Sequence, residues 1–128
     1  MRCHTNNIFL QFNILKLDDL IRYSCATFIH KVRSKRAPLH IFEMFETKDA
    51  TISTRFCSTE PLLIPNWKQD WLRKNIQYQG AKIWNDVPSS IRQNIIELEF
   101  KTLLKQHFMN AYKNTPKCSK TKCISCKK

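Results

Sequence analysis

Glycine occurs once in this 128-residue chain, at position 80. Because glycine averages about 7% of residues in soluble proteins, the chain is short of the residue that adopts positive φ without steric cost. Tight β-hairpins and glycine-rich phosphate-binding loops both depend on that freedom. Extended β architectures are therefore disfavoured, and the sequence predicts a mainly α fold: a small helical domain with an irregular or short-stranded middle segment.

Apolar residues recur at helical spacing in four segments. Long helices are predicted over Leu17–Arg33 and Glu97–Lys113, and shorter ones over residues 38–46 and Ile76–Asp86. A proline follows three of these segments, where it disfavours continuation of a helix. The stretch from residue 47 to the third helix is predicted to be extended and irregular, with residues 51–54 and 62–64 as candidate short strands.

Each long helix has one face that the spacing predicts to be the core face. On the first helix it consists of Leu17, Leu20, Ile21, Ser24, Cys25, Phe28 and Val32. On the last helix it consists of Phe100, Leu103, Leu104, His107, Phe108 and Ala111. We expect His107 to be a hydrogen-bonded core histidine and Trp84 to be buried, since large aromatic side chains dominate burial in small domains.

The chain divides into three parts on this pattern. Residues 1–13 are expected to be poorly ordered, residues 14–112 form the helical domain, and residues 113–128 are a basic tail rich in cysteine and lysine. No apolar run is long enough to span a bilayer, and the first residues lack the apolar centre of a secretory signal. We therefore expect a protein of the nucleus or cytoplasm, with no membrane partner.

The charge is strongly positive and unevenly distributed. Lysine and arginine number 22 against 10 acidic residues, a formal net charge of +12. From residue 65 onward 13 basic residues face 4 acidic ones. Such an excess attracts polyanions, and RNA or DNA is the commonest such partner. A solvated basic surface without a specific partner remains an alternative, and anionic lipid is a lesser one.

Aromatic and basic residues alternate between positions 67 and 84, a composition that suits single strands, where rings stack on bases and lysines follow phosphates. Trp67 and Trp71 are the candidate stacking residues. The candidate phosphate contacts are Lys68, Arg73, Lys74, Lys82, Lys101, Lys105, Lys113, Lys117, Lys120 and Lys122. The alternative is that the aromatic residues only form the core.

Three cysteines in the tail, Cys118, Cys123 and Cys126, have spacings found in zinc and iron–sulfur sites. Structural zinc requires four ligands, and the fourth would have to come from a distant His107, Cys57 or Cys3. We therefore expect no cofactor, with weak zinc binding at most.

Catalytic residues are not recognisable in the sequence. Asp18 and Asp19 open a predicted helix, where acidic residues are favoured by the helix dipole alone. Two-metal nucleotidyl transfer needs carboxylates held together from separate elements, and no such set can be named. No serine or cysteine is paired with a histidine at an informative spacing either. The sequence therefore predicts a chain that is not an enzyme.

One block of the sequence resembles a known family. Residues 78–92 read YQGAKIWNDVPSSIR, and residues 100–105 read FKTLLK. This arrangement is similar to the C-terminal region of reverse transcriptases from non-LTR (LINE-type) retrotransposons, where Y-x-G-x-K-[IL]-W-N-x-[LV]-P-x-x-[IL] precedes a last amphipathic helix that begins Phe-Lys. The resemblance spans roughly residues 14–109, including weaker similarity at residues 15–20 and 54–55.

The resemblance implies a non-catalytic piece of an RNA-directed DNA polymerase that contributes electrostatic RNA or DNA binding beside an upstream polymerase domain. The family's catalytic aspartates have no counterpart here, and the cysteine tail does not follow the family's Cys-Cys-His-Cys order. A protein-interaction module that docks the basic amphipathic helix at residues 100–113 into a partner groove is the alternative function.

Overall fold

The computed structural model describes residues 5–47 and 61–114. Over these ranges the chain is mainly α, as predicted, and it forms no β-strand. The six helices of the described residues are α1 (Asn6–Gln11), α2 (Leu17–Arg33), α3 (Leu39–Glu43), α4 (Ile76–Asp86), α5 (Ser89–Arg92) and α6 (Glu97–Lys113). A 3₁₀ turn at Leu72–Lys74 precedes α4.

The bounds of α2, α4 and α6 agree with the sequence prediction, whereas α1 and α3 depart from it. The helix predicted over residues 38–46 is shortened to α3, since Pro38 takes the N-cap position and the helix ends before Phe45. Residues 6–11 form α1 where a poorly ordered segment was predicted. Phe9 and Leu10 pack against a small cluster of buried residues, and tertiary packing of this kind stabilises helices too short to persist alone.

The middle segment is irregular where it is described, and the candidate strand at residues 62–64 is reduced to an isolated bridge. Thr47 and Leu62 form an isolated antiparallel bridge, and the Leu63 amide donates to the Glu46 carbonyl at 2.7 Å. Asn85 of α4 then pairs with the backbone of Leu62: its Nδ2 donates to the carbonyl at 2.9 Å, and its Oδ1 accepts from the amide at 2.8 Å. One side-chain amide thus fixes the chain against α4. The candidate strand at residues 51–54 lies outside the described residues.

The core forms where α2 meets α4 and α6. Its fully buried large side chains are Trp84, Phe100, Ile29, Leu62, Leu104 and Val32. The burial predicted for Trp84 is confirmed. A Cβ on Gly80 would lie 3.1 Å from Ile29 Cδ1, so the one glycine of the chain allows α4 to approach α2 closely.

The core face predicted for α2 is largely wrong. Of the predicted face Val32 is fully buried, but Leu17 is 72% exposed and Ile21 is 53% exposed, and the other fully buried side chains are Ala26 and Ile29, which the prediction did not include. The helix is apolar on two sides, and periodicity alone cannot tell which side faces the core. We call the solvent-facing set, Leu17, Leu20, Ile21, Ser24 and Phe28, the α2 stripe.

Of the helices in residues 5–47 and 61–114, none combines the length and apolarity that a membrane crossing requires.

The prediction for His107 is also wrong, because its side chain is exposed. Among the described histidines, His30 is the one in the core: its Nε2 donates to the Asn94 carbonyl at 2.8 Å, and its ring stacks on Phe100 at 4.2 Å between centroids. On α6 the buried side is formed by Phe100, Leu104, Met109 and Tyr112. Compared with the predicted face, the buried side of α6 is shifted around the helix toward Met109. The reason is that α1 and the start of α2 cover that side.

Candidate nucleic-acid interface

A groove of about 500 Å³ runs between the end of α1 and one side of α6. Lys101, Lys105 and Lys113 contribute to its lining, and among the described residues no acidic side chain does. These lysines are four and eight residues apart, so they follow one stripe of the helix. Within the described residues, neither Lys105 nor Lys113 has an ion-pair partner. The groove therefore presents cationic groups to an anion that enters it.

The remaining lining is both apolar and polar. Apolar surface comes from Leu10 of α1, from Leu98 and Met109 of α6, and from the half-buried Tyr23 of α2. Side-chain amides come from Asn13, which follows α1, and from Gln106 and Asn110 of α6. Lysine, amide and apolar groups thus line one concave surface.

A cluster around Tyr112 holds α1 and α2 against α6. The Tyr112 hydroxyl donates to Asp19 Oδ2 at 2.5 Å and accepts from the Lys16 amide at 3.0 Å. The Lys16 ammonium lies 5.1 Å from the centre of the Tyr112 ring and also donates to Asn6 of α1. Burial, reinforced by the bond to Asp19, raises the pKa of Tyr112 to about 12. The cluster places α1 beside α6 and so fixes one wall of the groove.

Glu97, in the first turn of α6, is surrounded by three cations. Its carboxylate lies 2.6 Å from Lys101 Nζ, 2.9 Å from Arg36 Nη1 and 3.6 Å from Lys31 Nζ. The hydrogen bond from Lys101 is the main cause that lowers the pKa of Glu97 below its ordinary value. One negative charge does not neutralise three positive ones, so the surface beside the groove also stays positive.

The aromatic and basic residues around the 3₁₀ turn form a second surface. Trp67 is half-buried and stacks on Tyr78 with ring centres 6.5 Å apart, which gives it a packing role. Arg73 donates to the Trp67 carbonyl at 3.0 Å and pairs with Asp70 at 3.4 Å. Trp71 is 70% exposed, so of the two candidate stacking residues only Trp71 presents most of its surface to solvent.

The remaining candidates are distributed elsewhere. Lys68 and Lys74 are exposed on the second surface. Lys82 is exposed on α4 and lines a separate cleft of about 280 Å³ together with Asp18 and Asp86, whose carboxylates offset its charge. Lys117, Lys120 and Lys122 of the tail lie outside the described residues.

The predicted site residues thus fall into separate groups, and the sequence missed part of the groove. The four-residue spacing of Lys101, Lys105 and Met109 is a sequence signal for the α6 wall. Nothing in the sequence pairs Asn13 or Leu10 with that helix, because the pairing depends on how α1 folds back.

Metal ligands do not cluster in residues 5–47 and 61–114, where no group of three histidine, cysteine or acidic side chains could hold an ion. Cys118, Cys123, Cys126 and the remote candidates Cys3 and Cys57 lie outside the described residues. The expectation of no cofactor stays a prediction.

Comparison of the chain with protein-family models, with curated proteins and with solved structures gives no match.

Proposed function

We propose that this chain is a non-catalytic nucleic-acid-binding module that holds RNA or DNA by its phosphates in the α1–α6 groove. The observation that carries the proposal is the lining of the groove, where Lys101, Lys105 and Lys113 occur and, in residues 5–47 and 61–114, no acidic side chain accompanies them. Neutralising phosphates releases condensed counterions, which drives binding without regard to base sequence. The net charge of +12 adds long-range attraction for the same ligand.

We further propose that the module belongs to an RNA-directed DNA polymerase of the non-LTR retrotransposon type. The similarity at residues 78–92 supports this origin, and two residues of that block have structural roles that explain their presence. Trp84 fills the core, and Asn85 fixes the extended segment against α4. In this proposal the polymerase chemistry belongs to an upstream domain, which is also the expected protein partner.

The test is a salt titration of binding to labelled RNA and DNA by fluorescence anisotropy. The logarithm of the association constant should fall linearly with the logarithm of salt concentration, by about 0.7–0.9 for each neutralised phosphate. Lys105→Gln should flatten that slope. Lys82→Gln removes the same charge from an exposed lysine beside carboxylates, so it is the matched control and should leave the slope nearly unchanged. A folded protein with no salt-sensitive affinity for either nucleic acid would contradict the proposal.

A second candidate function, protein interaction, is favoured by the α2 stripe rather than by the last helix. Phe100 and Leu104 of α6 are fully buried, so the apolar face of that helix is occupied within the domain. The α2 stripe, in contrast, leaves Leu17, Ile21 and Phe28 exposed. An acidic protein partner fits this surface best, since two copies of a chain of charge +12 repel one another.

Substitutions within the stripe separate the two functions. Ile21→Gln should abolish capture of an acidic partner while leaving RNA and DNA affinity unchanged, because the stripe does not line the groove. Loss of nucleic-acid affinity in a folded Ile21→Gln variant would show that the stripe belongs to the nucleic-acid interface instead.

A further inference from the structure

We infer that the α1–α6 groove binds an unpaired nucleotide of a single strand, with its base inside the groove and its phosphates on the α6 lysines. The inference rests on the proposed function and adds the strand state of the ligand. It follows from the part of the lining that phosphate binding leaves unused.

The unused polar groups are three side-chain amides, those of Asn13, Gln106 and Asn110. Each amide offers two N–H donors and a carbonyl acceptor, the same combination of groups that the edge of a base presents. Asn110 and Gln106 are exposed, and within the described residues their side chains have no hydrogen-bond partner. Phosphate oxygens only accept hydrogen bonds, so a phosphate can pair with the N–H groups of these amides but not with their carbonyls.

The unused apolar groups are Leu10, Tyr23, Leu98 and Met109. Tyr23 packs against both hydrophobic clusters of the domain, so its ring is held in place before a ligand arrives. Contact between a base and an aromatic or apolar side chain is favourable for every base, since each base has an apolar π-face. A ligand made of phosphate alone gains nothing from this surface.

The dimensions of the groove select between single and double strands. Its volume of about 500 Å³ lies within the range of about 300–1,000 Å³ that is usual for sites holding one small ligand. In a duplex the base faces are stacked and the Watson–Crick edges are paired. The groove edges that stay free are read by an element that projects into the groove, such as an α-helix, so a concave pocket cannot enclose a base of a duplex. Bases of a single strand can turn outward and enter a pocket. Single-stranded nucleic acid is therefore the ligand class that uses the whole lining.

The experiment compares an oligothymidine of about 12 nucleotides with its oligoadenine duplex, using the full chain at one salt concentration. The double variant Gln106→Ala/Asn110→Ala should weaken single-strand binding by about two- to tenfold for each amide, with duplex affinity and the salt slope unchanged. Gln93→Ala removes an exposed amide from the end of α5 and is the matched control. Circular dichroism verifies that each variant remains folded.

A competition experiment tests the base contact without a variant. Thymidine monophosphate should displace the labelled oligothymidine at a concentration where inorganic phosphate does not. Equal single-strand and duplex affinities with silent amide variants, or equal displacement by both competitors, would overturn the inference while the proposed function stands. Absence of salt-sensitive binding to either probe would overturn both.

Discussion

At Gly80 the backbone does not adopt positive φ, so what matters is the missing side chain where α4 meets α2. Alanine in a helix interior is favoured over glycine by about 1 kcal/mol, whereas overpacking a core costs about 1–3 kcal/mol. The nearest atom, Ile29 Cδ1, ends a flexible side chain, but Ile29 is fully buried and has little room to move. The destabilisation from overpacking should therefore exceed the stabilisation that alanine gains from its higher helix propensity at this position.

We predict that Gly80→Ala destabilises the protein in the native background and becomes neutral or stabilising beside Ile29→Val. The valine lacks the Cδ1 atom that the new Cβ would meet at 3.1 Å. The coupling energy of this double-mutant cycle, measured by urea unfolding, should reach about 1 kcal/mol. Additive effects of the two substitutions would contradict the close approach.

Glu97 gives the protein a defined pH response at the scale of one residue. Its pKa is lowered in the folded state, chiefly by Lys101, from an ordinary value near 4.5. A carboxylate whose pKa is depressed on folding stabilises the protein above the unfolded pKa, and this contribution is lost as the pH falls through the folded pKa. The stability of the native protein relative to Glu97→Gln should therefore be constant at neutral pH and decrease below about pH 4.5.

The measurement is urea unfolding of both proteins across that pH range, with Glu99→Gln as the control. Glu99 occupies the same first turn of α6 but has no ion-pair partner in the described part of the chain.

Glu97→Gln should also raise affinity for nucleic acid, because it leaves Lys31, Arg36 and Lys101 without their carboxylate. A variant that weakens binding would contradict the electrostatic account of this surface.

At the scale of elements, α2 presents apolar residues on two opposite sides, and only one side lies in the core. Ile29 is fully buried and Ile21 is 53% exposed, although they belong to the same helix. The same substitution at the two positions therefore shows, through the loss in free energy of unfolding, which side of α2 lies in the core. Ile29→Ala should cost about 2–5 kcal/mol through lost burial and a residual cavity. Ile21→Ala should cost less than about 1 kcal/mol, as surface substitutions usually do.

Chemical denaturation of the two alanine variants checks this prediction directly. Comparable losses at both positions would mean that the α2 stripe is covered in solution, by another part of the chain or by a second copy. Repeating the measurement at several protein concentrations distinguishes these, since only self-association makes stability depend on concentration.

At the scale of the whole molecule, positive charge is divided between the groove and the tail. Deleting residues 115–128 removes five lysines and should weaken binding to all RNA and DNA sequences alike while flattening the salt slope. This loss should add to that of Lys105→Gln, because distant phosphate contacts act independently.

Replacing Cys118, Cys123 and Cys126 with serine retains every lysine and should leave the salt slope unchanged. A slope that changes with the cysteines, together with stoichiometric zinc that survives dialysis, would contradict the expectation that the tail binds no metal.

The sequence by itself determined the helical class, the bounds of α2, α4 and α6, and the burial of Trp84. These features depend on local terms, namely the scarcity of glycine, the spacing of apolar residues and the position of prolines, and local terms can be read from neighbouring residues. The lysine spacing along α6 is local as well, so one wall of the candidate groove could be predicted.

Only the tertiary structure decided which side of α2 is buried, that His30 rather than His107 lies in the core, and that α1 completes the groove. Each of these depends on contacts between residues far apart in the chain, such as Tyr112 with Asp19 or Asn85 with Leu62. When a helix is apolar on two sides, its sequence is compatible with burial of either side. In α2 the packing against α4 and α6 determines which side is buried. A groove between two helices likewise exists only after both have been placed.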